Sequence, residues 1–189
     1  MSLVLGFDPD FHNSGLAVVE FDRRFTTPRL THAAVIKVPK ALKGDAAVAA
    51  MIDALPECPA VLNRAIIEGQ ENYRGKSKGR ATPDVLIRLA HIAGAARREY
   101  GKDGEVIVAP KTWKGGTKKT IHQARICARM GWDCQAMSGW VKPIGLPESV
   151  LRLGIKGKQW SHVLDAIGLA LYGIEQLEGV RFGGRRYGG

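Results

Sequence analysis

Cysteine is scarce in this chain of 189 residues: there are three, at Cys58, Cys127 and Cys134, and none forms a CxxC pair. Neither a disulfide framework nor a thiolate zinc site is supported, and small reduced thiols are expected. Aromatic residues make up only 7%, and acidic residues are outnumbered, 18 against 28 basic ones. The resulting net charge of +10 with 45% apolar content excludes a disordered chain and points to a folded core with an anionic partner. Long apolar runs are also missing. The opening run Leu3 to Phe7 follows no basic segment and stops at Asp8, too short for a signal peptide or a membrane span, so a cytoplasmic protein is expected.

The length fits one domain, because a core becomes self-sufficient above about 100 residues. Leu3 to Phe7 and Leu16 to Phe21, joined by the turn-rich DPDFHNSG, predict two strands of a hairpin, and Thr31 to Val38 a third. Gly44 to Leu55 predicts a helix bounded by Pro56, and Arg64 to Ile67 a fourth strand ending in Glu68. Thr82-Pro83 caps a helix running to about Tyr100, Val106 to Ala109 is a strand, and Thr117 to Met130 is helical. Residues 132 to 160 carry no periodic pattern and are expected to be irregular. A last helix opens at Ser161 and runs to about Leu177, so the domain spans 1–178 and leaves a Gly/Arg tail, 179–189, that offers nothing to bury. Strands first, then strands alternating with helices, make an α/β fold with a mixed sheet.

Three acids stand out by context. Asp8 and Glu68 each end a buried strand, where ligands collect in α/β sheets. Asp165 sits among Val163, Leu164, Ala166, Ile167 and Leu169, where a lone carboxylate is costly unless a cation or donors meet it. Singly, each has an ordinary reading: an Asx turn, a strand-end surface acid, a first-turn helix acid. Together they are what a carboxylate-lined divalent-cation site needs, and hard oxygen donors point to Mg²⁺ or Mn²⁺. His162 lies three residues before Asp165, about 60° away around the helix, and joins the site as ligand or acid/base group. His12, in the loop after Asp8, is within reach.

The positive charge is clustered, with 13 of the 28 cations in three acid-free windows. Arg74, Lys76, Lys78 and Arg80 fall in 72–83; Lys111, Lys114, Lys118, Lys119, Arg125 and Arg129 in 106–132; Arg152, Lys156 and Lys158 in 149–164. One such run is usually a solvated face. Three, interleaved with Tyr73, Trp113, Trp140 and Trp160, fit a phosphate-binding surface with aromatics that stack on or wedge between bases. Tyr73 is the best wedge, Trp132 reads as core, and Trp113 and Trp160 fit either role.

Four segments resemble the RuvC-like Holliday junction resolvases of the ribonuclease H-like superfamily, from Leu3 to about Tyr172. LGFDPDFHNSGLAVV is similar to the family's first-strand motif, IIEGQ to its second acidic strand, APKTWKGGTKKT to its Pro-x-x-x-Lys stretch, and SHVLDAIGLALYG to its closing helix. The resemblance implies a ribonuclease H-like mixed sheet, three antiparallel strands then two parallel, flanked by helices. It implies an endonuclease in which Asp8, Glu68, His162 and Asp165 hold two Mg²⁺ or Mn²⁺ ions, and Lys114 with Lys118 or Lys119 contacts phosphates. Tyr73, Arg74, Lys76, Lys78, Arg80, Lys111 and Trp113 would line the path of branched DNA, and the helix from Pro83 to Tyr100 would help form a homodimer. Asp10 stands where the family has glycine, and 132–160 is longer and more basic than its counterpart. These departures fit a bacteriophage or mobile-element relative with a broader taste for branched DNA, acting in a bacterial or phage-infected cell.

Three rivals share features of the sequence. An actin-like kinase also opens with a strand, an aspartate and a hairpin, but needs two such domains. A ribonuclease H-type nuclease on RNA–DNA hybrids would use the same acids. A non-catalytic nucleic-acid-binding module would keep the basic surface alone.

Overall fold

The computed structural model describes residues 1–58, 60–69, 82–101 and 106–182. Strand β1 (Ser2–Asp8) lies at the centre of a five-stranded sheet because it is apolar on both faces, as a strand covered on two sides must be. Its neighbours are β2 (Asn13–Phe21), antiparallel, and β4 (Arg64–Glu68), parallel. The edges are β3 (Arg29–Lys37), antiparallel to β2, and β5 (Val106–Val108), parallel to β4, giving the order β3-β2-β1-β4-β5. This is the mixed sheet expected, three antiparallel strands and then two parallel.

Alternation along β1 splits the core in two. Leu5 and Phe7 pack with Val48, Met51, Ile92 and Ala96 from α1 (Asp45–Asp53) and α2 (Pro83–Tyr100). Val4 faces the other way, into a cluster with Ile167, Leu171 and Ile174 of the long helix α6 (Gln159–Glu178) and Ile126 of α4 (Lys119–Arg129). A short helix α3 (Pro110–Lys114) follows β5 directly, with Pro110 at its first position.

Two glycines set how close α6 comes to the sheet. A Cβ on Gly6 would stand 1.9 Å from the Ala166 carbonyl oxygen, and one on Gly15 would stand 2.2 Å from that of His162. Backbone therefore rests on backbone, and the helix carries His162 and Asp165 down onto the strand ends.

The structure departs from the sequence expectations in three places and decides a fourth point that they left open. Residues 132–160 are not irregular: β6 (Asp133–Met137) and β7 (Trp140–Ile144) form an antiparallel hairpin, followed by a short α5 (Glu148–Leu151). All of β6 is exposed, so it shows no alternation, and a Ser138-Gly139 turn with φ +79° at Gly139 closes the hairpin. Secondly, α6 opens at Gln159 and not at Ser161, whose hydroxyl is turned inward toward Gln123. Thirdly, the terminal segment does bury a residue: Gly179 turns the chain back at φ +64°, and Phe182 packs edge-on against Phe21 at 5.1 Å. Finally, Trp160, left open between two roles, is core, 6.0 Å from the ring of Trp132. Among the described residues no helix is long and apolar enough to cross a membrane.

Candidate active site

The site is built at the carboxyl ends of the parallel strands. Register places Asp8 opposite Gly15 and, through the Phe7–Ile67 pair, beside Glu68, while α6 lowers Asp165 onto the same end. All three acids are buried, between 4% and 9% exposed. Burial pushes the Glu68 carboxyl up to about 7, with the charge of Asp8 adding to the shift and Lys114 opposing it. Burial likewise raises Asp8; His162 counters that, and Asp165 adds to it. Glu68 thus feels the charges of both Asp8 and Asp165, and Asp8 that of Asp165, as groups sharing one low-dielectric pocket do.

Nitrogen groups meet these acids one by one. The Lys114 ammonium lies 3.0 Å from Glu68 Oε2, which also accepts the indole N–H of Trp113 at 2.9 Å. Lys119 Nζ is 2.6 Å from Asp165 Oδ2, and His162 Nδ1 is 3.7 Å from Asp8 Oδ2, a charge-pair separation too long for a hydrogen bond. Burial alone would lower the affinity of Lys114 for its proton, but the charges of Glu68, Asp165 and Asp8 outweigh it and raise that affinity. Trp113 is half-buried, and its ring meets His122 edge-on at 4.7 Å. It therefore holds Glu68 in place and is not free as a stacking platform.

The remaining sequence candidates divide. Lys118 and Lys111 are exposed and make no ion pair among the described residues, so of the two adjacent lysines it is Lys119 that enters the cluster. Asp10 does not add a fourth carboxylate: its Oδ1 accepts the N–H groups of His12 and Asn13 at 2.8 and 3.1 Å, the Asx turn that opens β2. His12 makes no hydrogen bond or ion pair with the three acids, and its Nδ1 is buried without a partner. Tyr73, Arg74, Lys76, Lys78 and Arg80 lie outside the described residues. Two residues escaped the sequence reading. Lys40 joins Asn13, Lys158, Gln159 and His162 around a cavity of about 220 Å³ beside the cluster. Gln123 is fully buried and hydrogen-bonded to Asp165. The only trace of Gln123 in the sequence is a polar residue on the apolar face of α4.

Among the described residues no three His, Cys, Asp or Glu side chains form a ready-made metal-binding cluster. The donor chemistry nevertheless fits a hard divalent cation: three buried carboxylates face only two ammonium groups, and Lys114 and Lys119 stand where cations are stabilised.

The same architecture occurs in solved structures. Thermus thermophilus RuvC in complex with a Holliday junction substrate superposes with a TM-score of 0.56 at 21% identity, over 94% of this chain and 96% of that one. This chain has the RuvC fold. A second T. thermophilus RuvC structure gives 0.54, again at 21% identity and over the same shares of both chains. The fowlpox virus resolvase with its Holliday junction DNA aligns more loosely, at 0.45 and 14% identity over 93% of this chain and 98% of that one. No protein-family model and no curated protein matches the sequence. The likeness to RuvC is thus one of fold, carried by backbone geometry at low sequence identity.

Proposed function

We propose that this chain is a metal-dependent endonuclease that hydrolyses phosphodiesters at Holliday junctions and related branched DNA, as a homodimer making paired nicks. The observation that carries the reading is the meeting of Asp8, Glu68 and Asp165, from three distant stretches of sequence, at one end of a RuvC-type sheet. The junction substrate bound by T. thermophilus RuvC supports the substrate class.

Asp8, Glu68, Asp165 and His162 would hold two Mg²⁺ or Mn²⁺ ions. Such ions, when bound, supply water activation and neutralise charge on the phosphate. The other contributions come from the chain. Lys114 and Lys119 present ammonium groups at the cluster, where they bind phosphate oxygens; one donor aimed at developing charge is worth about 3 kcal/mol. His162 turns Nδ1 toward Asp8, which leaves Nε2 as the nitrogen that would hold an ion. Trp113 and Lys114 orient Glu68 from α3. No side chain needs to form a covalent bond to DNA. Lys40 and Lys158 beside His162, with Lys111 and Lys118, extend the basic track for flanking phosphates. The outward face of α2, with Ile87 57% exposed in line with Ala90, His91 and Gly94, supports the dimer.

The test uses purified protein with labelled four-way, three-way, flap and linear DNA and an RNA–DNA hybrid, with Mn²⁺, Mg²⁺ or chelator. Cleavage of the four-way junction is expected, dependent on a divalent ion. Asp8→Asn should bind the junction within about twofold of the unaltered protein and leave it intact. Cutting of hybrid alone would assign a ribonuclease H activity instead, and normal cutting by Asp8→Asn would overturn the catalytic assignment.

A further inference from the structure

Gln123 is a polar residue with no exposure, on a helix face it shares with the buried Ile126 and Cys127. Its Nε2 donates to Asp165 Oδ1 and to the Ser161 carbonyl, each at 3.0 Å, with Ser161 Oγ at 3.2 Å. Its Oε1 accepts the backbone N–H of Val141 at 3.1 Å. The amide orientation is forced, because Val141 requires an acceptor while the carbonyl and carboxylate require a donor. A flipped amide would set donor against donor and acceptor against acceptor.

Both oxygens of Asp165 are therefore engaged, by partners of different stiffness. Lys119 reaches Oδ2 on a long side chain that is 47% exposed, whereas Gln123 holds Oδ1 from a dry, packed position between α4, α6 and β7. The stiffer partner sets the plane of the carboxylate. We propose that Gln123 is a positioning residue for the candidate metal cluster: it holds Asp165 in one orientation, with Oδ2, now paired with the long Lys119 side chain, turned to where a divalent cation would bind, and ties that orientation to the β6–β7 hairpin through Val141. A partner that orients a ligating carboxylate typically governs metal affinity or activity by about 10- to 100-fold. The kinetic consequence rests on the endonuclease reading; the metal-binding consequence does not.

The experiment compares Gln123→Met, which keeps the side chain's length without its hydrogen bonds, with Ser161→Ala, which removes one Gln123 contact but none to Asp165. Mn²⁺ binding to DNA-free protein is measured by titration calorimetry, beside junction affinity and single-turnover cleavage. Gln123→Met should bind Mn²⁺ about tenfold more weakly or worse and cleave about 10- to 100-fold more slowly, with unchanged junction affinity. Ser161→Ala should match the unaltered protein in Mn²⁺ affinity and rate. A folded Gln123→Met with ordinary Mn²⁺ affinity overturns the inference. If that variant does not fold, Gln123→Asn, one methylene too short to bridge Asp165 and Val141, takes its place with the same expected weakening. Should neither fold, Gln123 is a strut and the inference also fails. Loss of Mn²⁺ affinity in a protein whose unaltered form cuts no DNA would retain the inference and reject the nuclease reading; an unaltered protein that binds no Mn²⁺ rejects the inference with the metal assignment.

Discussion

At the scale of the residue, the molecule concentrates unfavourable burial at one strand end. Asp8, Glu68 and Asp165 are buried together, and Lys114, Lys119 and His162 face them. His122 shows the same burial without a partner, for its Nε2 is buried and unbonded, and burial pushes its imidazole down from 6.5 to about 4. The unfolded chain takes up that proton near pH 6.5 and the folded one only near pH 4. Between those values the folded state binds fewer protons, so stability is whole above the window and falls as pH drops through it, by at most about 3 kcal/mol. His122→Leu should accordingly lose less stability than the unaltered protein between pH 7 and pH 4, as read by urea unfolding at each pH. The acids were legible in the sequence because each ends or interrupts an apolar run. Gln123 was not, since a single polar residue in a helix looks the same whether it meets water or a carboxylate. Nor could the sequence choose between Lys118 and Lys119, because Lys118 is the cap residue before α4 and Lys119 its first residue, a boundary that local pattern leaves open by a residue or two.

At the scale of the element, the site depends on how low α6 sits on β1 and β2. Gly6→Ala would drive a methyl group into the Ala166 carbonyl, a backbone atom that cannot swing away. A loss of about 3 kcal/mol or more is expected, with any folded remainder cleaving poorly because Asp165 is displaced from Asp8. Gly116→Ala, whose added Cβ meets nothing within 4 Å, should leave the melting temperature unchanged. Differential scanning calorimetry of the two variants checks this. The buried strands were readable as short apolar runs bounded by turn residues. The β6–β7 hairpin was not, because its first strand buries no face, and pairing across the chain rather than pattern along it makes it a strand.

At the scale of the whole molecule, the net charge of +10 and the basic rim of the site bear on how the proposed DNA substrate would be held. If each subunit neutralises about 6 phosphates, log affinity should fall with log salt with a slope of roughly −5, measured by fluorescence anisotropy with a labelled junction. A slope near zero would exclude the basic track as the DNA path. The dimer is tested on α2: Ile87→Arg places charge on its outward face and should shift the mass seen by light scattering from dimer to monomer. Junctions should then be nicked on one strand instead of two opposing ones.

The sequence by itself determined the candidate acids and the order of the central elements. Carboxylates at the ends of apolar runs, clustered cations and a strand-rich first half follow from composition and local periodicity, which every residue carries with it. Only the tertiary structure decided which groups meet. That Lys119 and not Lys118 faces Asp165, that Asp10 spends its carboxylate on its own loop, and that a buried amide from α4 grips α6 are facts of packing. They depend on the separation and rotation of elements far apart in the chain, which short-range pattern does not encode.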